Sequence, residues 1–291
     1  CAPYARVQIQ GRRHGRRRLL ENFGRRLVYE RQLNQLPPPL ERQMKQQLLI
    51  TIAAVVLVGC VPKKLQKTKA IPIQQAEPLT AKAPDISIHD SVREGNVLIF
   101  KKHIDAKTDL NLRDEEANTP LHNAALLGHV EIVKLLISNG AEINVKNGVG
   151  MTPLHEASNK EIAEILLANN ANVNARAKGI TPLHVAASVN DNDVSKILII
   201  NGADINAKDD SEITPLHYAV SFYAKEIVQL LITNGVDLNA TDSDYKTALD
   251  YAEDFVQVNE SANKAKVRII IADLLRKHGA KTGEELKAAG N

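Results

Sequence analysis

Four stretches of the chain open on the same letters, TPLH, at Thr119, Thr152, Thr181 and Thr214, and a fifth, TALD at Thr247, opens on a decayed form. These threonines stand 33, 29, 33 and 33 residues apart. That period constrains the fold more than any other feature. A unit this short cannot bury its apolar face alone, so successive copies must stack and share one continuous core. Each Thr is placed to cap a helix, and Pro120, Pro153, Pro182 and Pro215 follow it at the first helical position, where no backbone donor is needed. Leu121, Leu154, Leu183 and Leu216 then begin an apolar stripe, and Ala124, Ala125, Ala186 and Ala187 let paired helices approach closely. A second amphipathic segment comes next, as in "VEIVKLLISNG", with Ile132, Leu135 and Leu136 at helical spacing. Gly140, Gly202, Gly235 and Gly279 sit where a left-handed C-cap is required, and Asn170 takes that place in the second copy.

This period, with T-P-L-H-x-A, resembles the ankyrin-repeat family over residues 85–283. The resemblance implies an all-α ankyrin-repeat α-solenoid of about six helix-turn-helix repeats joined by β-hairpin-like loops. The units fall at 85–117, 118–150, 151–179, 180–212, 213–245 and 246–283, with 284–291 left as a tail. The first copy lacks TPLH but keeps a turn at Gly95 and a second helix around 97–104, and reads as an N-terminal cap. The last carries an insertion near 256–266 and reads as a C-terminal cap, for which a polar outer face is expected. The second copy is three residues short between His155 and its cap, and one more is missing before Thr181. The turn between its helices and the regularity of the stack are therefore the weak point.

His122, His155, His184 and His217 recur in register. A catalytic or metal cluster needs its members to converge, whereas stacked repeats set equivalent residues in a row. The resemblance gives this His a structural role inside the TPLH turn. No glycine-rich phosphate loop, H-E-x-x-H or G-x-S-x-G occurs, so no enzyme activity, cofactor or metal is expected. "TDSDYK" (241–246) resembles half of a calcium loop but lacks its glycine and final glutamate, and with "DDSE" (209–212) reads as a solvated hairpin tip.

Carried over by position, the family's partner-binding face comprises hairpin tips and inner-helix residues. The tips include Glu115 and Glu116, Lys178, Asp210 and Ser211, and Asp244; the inner helices supply Leu126, Leu127, Val189 and Phe222, with Tyr218 and Tyr223 beside the last. The aliphatic and aromatic members are expected to act as apolar anchors in an otherwise acidic groove.

The first 84 residues differ in character. Residues 1–43 hold ten arginines, no lysine and three glutamates, a net of +7, while 44–291 carry a net of −4. "GRRHGRRRLL" (11–20) is the only basic cluster evident, so no nucleic-acid partner is expected. From the composition break at Met44, 1–43 is expected to be spurious upstream sequence from a wrong start, or a fragment, with a disordered basic arm or an organelle transit peptide as the alternatives. "MKQQLLITIAAVVLVGC" (44–60) then joins Lys45 to an apolar run of 11 residues, Leu48 to Val58, interrupted only by Thr51. A membrane span needs about 20 residues and a secretory apolar region about 7–15.

"LVGC" (57–60) resembles the lipobox of bacterial lipoproteins. The resemblance implies that 44–59 is a signal peptide cut before Cys60, that the Cys60 thiol and new amine carry acyl chains, and that Lys-, Gln- and Pro-rich 60–84 is a disordered tether. Val61 rather than Asp after the cysteine leans towards the outer membrane. Only Cys1 and Cys60 occur, so the repeats contain no disulfide. Residues 60–291 hold 26 basic and 31 acidic residues, net −5, and the expected partner is another protein with a basic patch; an oligomer is not expected. The sequence thus reads as a lipid-anchored, periplasm-facing binding module. The competing reading is a soluble intracellular regulator or host-directed effector that retains residues 44–60.

Overall fold

The computed structural model describes residues 82–254 and 262–290, so the lipobox, the arginine-rich segment and nearly all of the tether lie outside the described residues. Twelve helices and no strands occur among the described residues. Helices α1 (Ile88–Arg93) and α2 (Val97–Asp105) form the first unit, and α3 (Pro120–Leu127) and α4 (Val130–Ser138) the next. The second TPLH copy supplies α5 (Lys160–Ala168) alone. Then come α6 (Pro182–Ser188) with α7 (Asn192–Ile200), and α8 (Pro215–Ser221) with α9 (Lys225–Thr233). Helices α10 (Ala248–Asp254), α11 (Ala262–Lys277) and α12 (Gly283–Ala289) close the array.

The core follows the period. Leu121, Leu154, Leu183 and Leu216 are buried, as are Ala124, Ala125 and Ala187. On the second helices a β-branched residue and a Leu four apart point inward together: Ile132 with Leu136, Ile162 with Leu166, Val194 with Leu198, Ile227 with Leu231. Each of those leucines also closes its helix. Its carbonyl accepts from the residue just past the left-handed cap: Ala141, Ala171, Ala203 and Val236 at 3.0, 3.0, 2.9 and 3.1 Å. Asn170, at φ 65°, does for α5 what Gly140 does for α4.

The missing residues of the second copy remove a whole helix, where the sequence raised doubt only about the turn between helices. Residues 152–157 form short turns, with His155, Glu156 and Ala157 donating three residues back to Thr152, Pro153 and Leu154. With three residues gone before Asn159, the N-cap of α5, the chain has no length for a last helical turn. Ser158 fills the gap: its N–H and hydroxyl both donate to the Ala125 carbonyl at the end of α3, at 3.2 and 2.8 Å.

The C-terminal end departs from expectation twice. Residues 284–291, read as a tail, carry α12, started by a capping box in which Thr282 N–H donates to Glu285 and Glu285 N–H donates to the Thr282 hydroxyl. Arg276 of α11 forks between Glu253 and Glu285 and so ties the last three helices together. The outer face of α11 is not purely polar, because Ile269 and Ile270 are 55% and 46% exposed.

Candidate partner-binding face

The four motif histidines are almost wholly buried and joined in a row. In each, Nδ1 accepts from the N–H and the hydroxyl of the Thr three residues earlier, at 2.8–3.3 Å. Nδ1 is therefore the bare nitrogen, and Nε2 carries the proton. Nε2 donates to a backbone carbonyl of the following unit: His122 to Met151, His155 to Ile180, His184 to Ile213 and His217 to Lys246, at 3.0–3.2 Å. Burial lowers all four pKa values, those of His155 and His184 to about 4. Both ring nitrogens are used in holding the stack, and the rings run along it instead of converging.

The last copy replaces His with Asp250, and the link is shared out differently. Asp250 Oδ2 accepts from Thr247 N–H at 2.7 Å, as His would, and from Gly283 N–H at 2.8 Å, while the Thr247 hydroxyl reaches the carbonyl of Lys281 at 2.8 Å.

A second row was not read from the sequence. Asn111, Asn144, Asn174, Asn206 and Asn239 each accept, through the side-chain oxygen, an N–H of the next unit, from Glu142, Asn172, Asp204, Asp237 and Lys281 at 2.8–2.9 Å. The signal was present: each Asn ends its copy at the same phase.

The hairpin tips are likewise organised from within. Asp114, Asn147, Asp209 and Asp242 each accept two backbone N–H groups of their own turn through Oδ1. The other oxygen of Asp209 takes the Tyr218 hydroxyl at 3.1 Å, and that of Asp242 takes the Tyr251 hydroxyl at 2.7 Å. These aspartates are thus turn organisers, where the sequence suggested only solvated tips. At Ala177 that carboxylate is absent and the loop is one residue shorter. Lys178 and Gly179 both have positive φ, 51° and 77°, inside a two-residue turn closed by paired Ala177 and Ile180 bonds, as in a type I′ hairpin.

Three of the four joints between successive tips carry a backbone bond, Gly148 N–H to Glu116 O, Asp210 N–H to Lys178 O and Ser243 N–H to Ser211 O; among the described residues none joins the tips at 147–151 and 177–180. Glu115, Glu116, Lys178, Asp210 and Asp244 are exposed along this edge, and Ser211 is half-buried. Of the inner-helix positions, Leu126, Leu127, Val189 and Phe222 are half-buried. Tyr218 stacks on Phe222, centroids 6.5 Å apart, and its other edge meets His184 at 5.2 Å. Lys264 lies over the Tyr223 ring at 5.3 Å. The structure brings Tyr218 and Phe222 together, while Leu126 and Leu127 stand on the far side of the helix-less copy. Tyr245, 66% exposed at its tip beneath Lys287, extends the aromatic end and was not anticipated.

One edge is basic, although the sequence showed no basic face beyond residues 11–20. Arg113, Lys146, Arg176 and Lys208 follow the Asn row by two residues, and each donates to the carbonyl at the same position of the next unit, at 2.9, 3.0, 3.1 and 3.2 Å. The position after Lys208 is Thr241. Exposed carboxylates of Asp109, Glu142, Asp204 and Asp237 precede the Asn row by two residues.

The family model described as Ankyrin repeats matches in three copies, over residues 88–177, 158–209 and 183–262, more than half of the chain. The chain belongs to the ankyrin-repeat family. Ankyrin arrays are protein–protein interaction modules and are generally non-enzymatic. A search of curated proteins gives no match. Among the described residues of this ankyrin array, no group of three or more His, Cys, Asp or Glu side chains gathers to hold a metal ion, and no helix is long and apolar enough to cross a membrane.

Proposed function

We propose that this ankyrin protein is a lipid-anchored, non-enzymatic binding module of the bacterial envelope, which captures a protein with a basic patch on the face built from its hairpin tips and first helices. The observation that carries the binding half is the tip edge, exposing acidic Glu115, Glu116, Asp210 and Asp244, whose C-terminal part lies next to the stacked Tyr218 and Phe222. Rigid aromatic anchors next to a polar, like-charged rim are the usual make-up of an energetic centre and its surround. The anchoring half rests on "LVGC" at 57–60 and the Lys-, Gln- and Pro-rich tether behind it.

Mass spectrometry of the protein from a membrane fraction tests the anchor. The expected product begins at an acylated Cys60, and Cys60→Ala releases it from membranes. A soluble product that retains residues 44–59 overturns the reading and favours an intracellular regulator or a host-directed effector. For the face, cross-linked capture from envelope extracts is expected to weaken for Phe222→Ala and Leu127→Ala; undiminished capture by both refutes it.

A further inference from the structure

What sets the basic edge apart is that its cations are held in place. On the outward helices four lysines are compensated, Lys101 by Glu131, Lys134 by Glu161, Lys160 by Glu164 and Lys196 by Asp193, while Lys102 and Lys225 are exposed with neither an ion pair nor a side-chain hydrogen bond among the described residues. Lys208 has Glu212. Arg113, Lys146 and Arg176 are exposed and have no ion pair among the described residues. Their side chains are nevertheless fixed, because each spends a donor on the carbonyl of the next unit. A cation held in this way loses little rotamer freedom when a ligand arrives. The array thus presents four positioned positive charges, one per unit, three of them without a counter-charge.

The spacing and flanks say what fits. Helix packing sets neighbouring units about 8–10 Å apart. An extended peptide advances about 3.3 Å per residue, so three residues span one unit. Carboxylates flank the row on both sides at its ends, at the tips with Glu115, Glu116 and Asp210 and on the other side at Asp109, Glu142, Asp204 and Asp237, while Asn172 and the tips at 147–150 and 177–180 leave its middle without them. A broad anionic surface such as a bilayer, or a densely charged polymer such as a nucleic acid, meets those carboxylates and is repelled. A single-file chain with sparse carboxylates does not.

We infer that the row Arg113, Lys146, Arg176, Lys208 binds an extended acidic protein segment with a carboxylate at every third residue. This surface is separate from the aromatic and acidic face above and does not rest on it. It ends at Thr241, so the segment spans four units.

Fluorescence anisotropy with the full chain tests it. The probe is a labelled twelve-residue peptide with Glu at every third position and Ser between; the reference has the same composition with its four Glu adjacent. The spaced peptide is expected to bind about tenfold more tightly, with affinity falling as salt rises. Lys146→Gln with Arg176→Gln is expected to lower affinity about tenfold, Lys146→Arg to keep it, and Phe222→Ala to leave it unchanged. If the double variant unfolds by circular dichroism, Lys146→Gln alone, expected to lose about threefold, serves in its place. Equal binding of the two peptides, no binding of either, or no loss in the charge-removing variant overturns the inference. So does tighter binding to phosphatidylserine vesicles or to single-stranded DNA than to the spaced peptide. Because capture through Phe222 is read in a different experiment, the two surfaces fail independently.

Discussion

The second repeat (151–179) and the third (180–212) share TPLH and part company within one turn of it. Both bury Leu, Thr and His, and both make the full set of Thr–His and His–carbonyl bonds. Only the third continues into a helix, α6; the second turns at 155–157 and hands its Ser158 to the neighbouring unit. Their tips differ as well. In the third, Asp209 organises a longer turn, and in the second a two-residue hairpin closes on backbone alone. The comparison separates two jobs that the motif usually does together. The Thr–Pro–Leu–His turn bonds unit to unit whether or not a helix follows it, and the helix supplies the length of the first-helix face.

Three experiments break or sharpen that comparison. The largest effect concerns pH. His155 and His184 are neutral when folded, with pKa values lowered to about 4 by burial, against an ordinary value of 6.5. The unfolded chain then holds more protons between those values, so stability is full above pH 6.5 and falls as the pH drops towards 4. Each histidine contributes at most about 1.4 kcal/mol per pH unit in that window, so the pair loses about 4 kcal/mol between full stability at high pH and pH 5. Urea denaturation at several pH values measures it, and NMR titration assigns it. His155 titrating near 6.5 while His184 stays neutral would show that the helix-less unit opens in the folded state.

The next effect is a paired truncation. His184→Ala leaves the Thr181 N–H and the Ile213 carbonyl without their side-chain partner and opens a cavity, at a cost of about 3 kcal/mol. His155→Ala is expected to cost the same within about 1 kcal/mol, because its bonds are the same. A much milder loss at His155, read from denaturation midpoints, would mean that the turn needs the helix after all.

The smallest effect separates the tips. Gly179 has φ +77°, and a Cβ there would lie 2.5 Å from the Asp209 backbone; Gly150 has φ +89°, with its nearest neighbour at 3.6 Å. Gly150→Ala is expected to cost about 1 kcal/mol in left-handed strain alone and Gly179→Ala about 2–3 kcal/mol. Equal costs would show that the short hairpin gives way under load.

Much of the fold was legible because the period repeats a helix start with a physical cause, Thr before Pro, and a helix stop with another, Gly or Asn at positive φ. The loss of the helix in the second copy was legible only as missing length, because the sequence does not show which element will absorb a deletion. Helix α12 was missed although Thr282 and Glu285 spell a capping box three residues apart. Exposed Ile269 and Ile270 were not readable, since the apolar periodicity of α11 does not tell which side meets the neighbour. At the candidate face, the tip residues carried over by position lie on hairpins and Leu126, Leu127 and Tyr218 on first helices, while Val189, Phe222 and Tyr223 lie just past the ends of theirs. The hydroxyl of Tyr218 turned out to serve Asp209, and the basic row went unseen, because one cation every thirty or so residues makes no cluster until the units are stacked.

Asp250 carries a consequence for how such a chain can grow. Inner units are interchangeable at their joints: each offers an imidazole N–H that fits a carbonyl on whatever unit comes next. A copy duplicated and inserted among them finds its socket ready. The TALD unit offers a different socket: Asp250 takes the Gly283 N–H, and the Thr247 hydroxyl meets the Lys281 carbonyl at 2.8 Å. Lengthening by duplication is therefore simplest in the interior, where every joint is alike, while a copy added after the TALD unit would have to offer Asp250 an N–H as Gly283 does, so the His-to-Asp exchange gives the end of the array its own grammar.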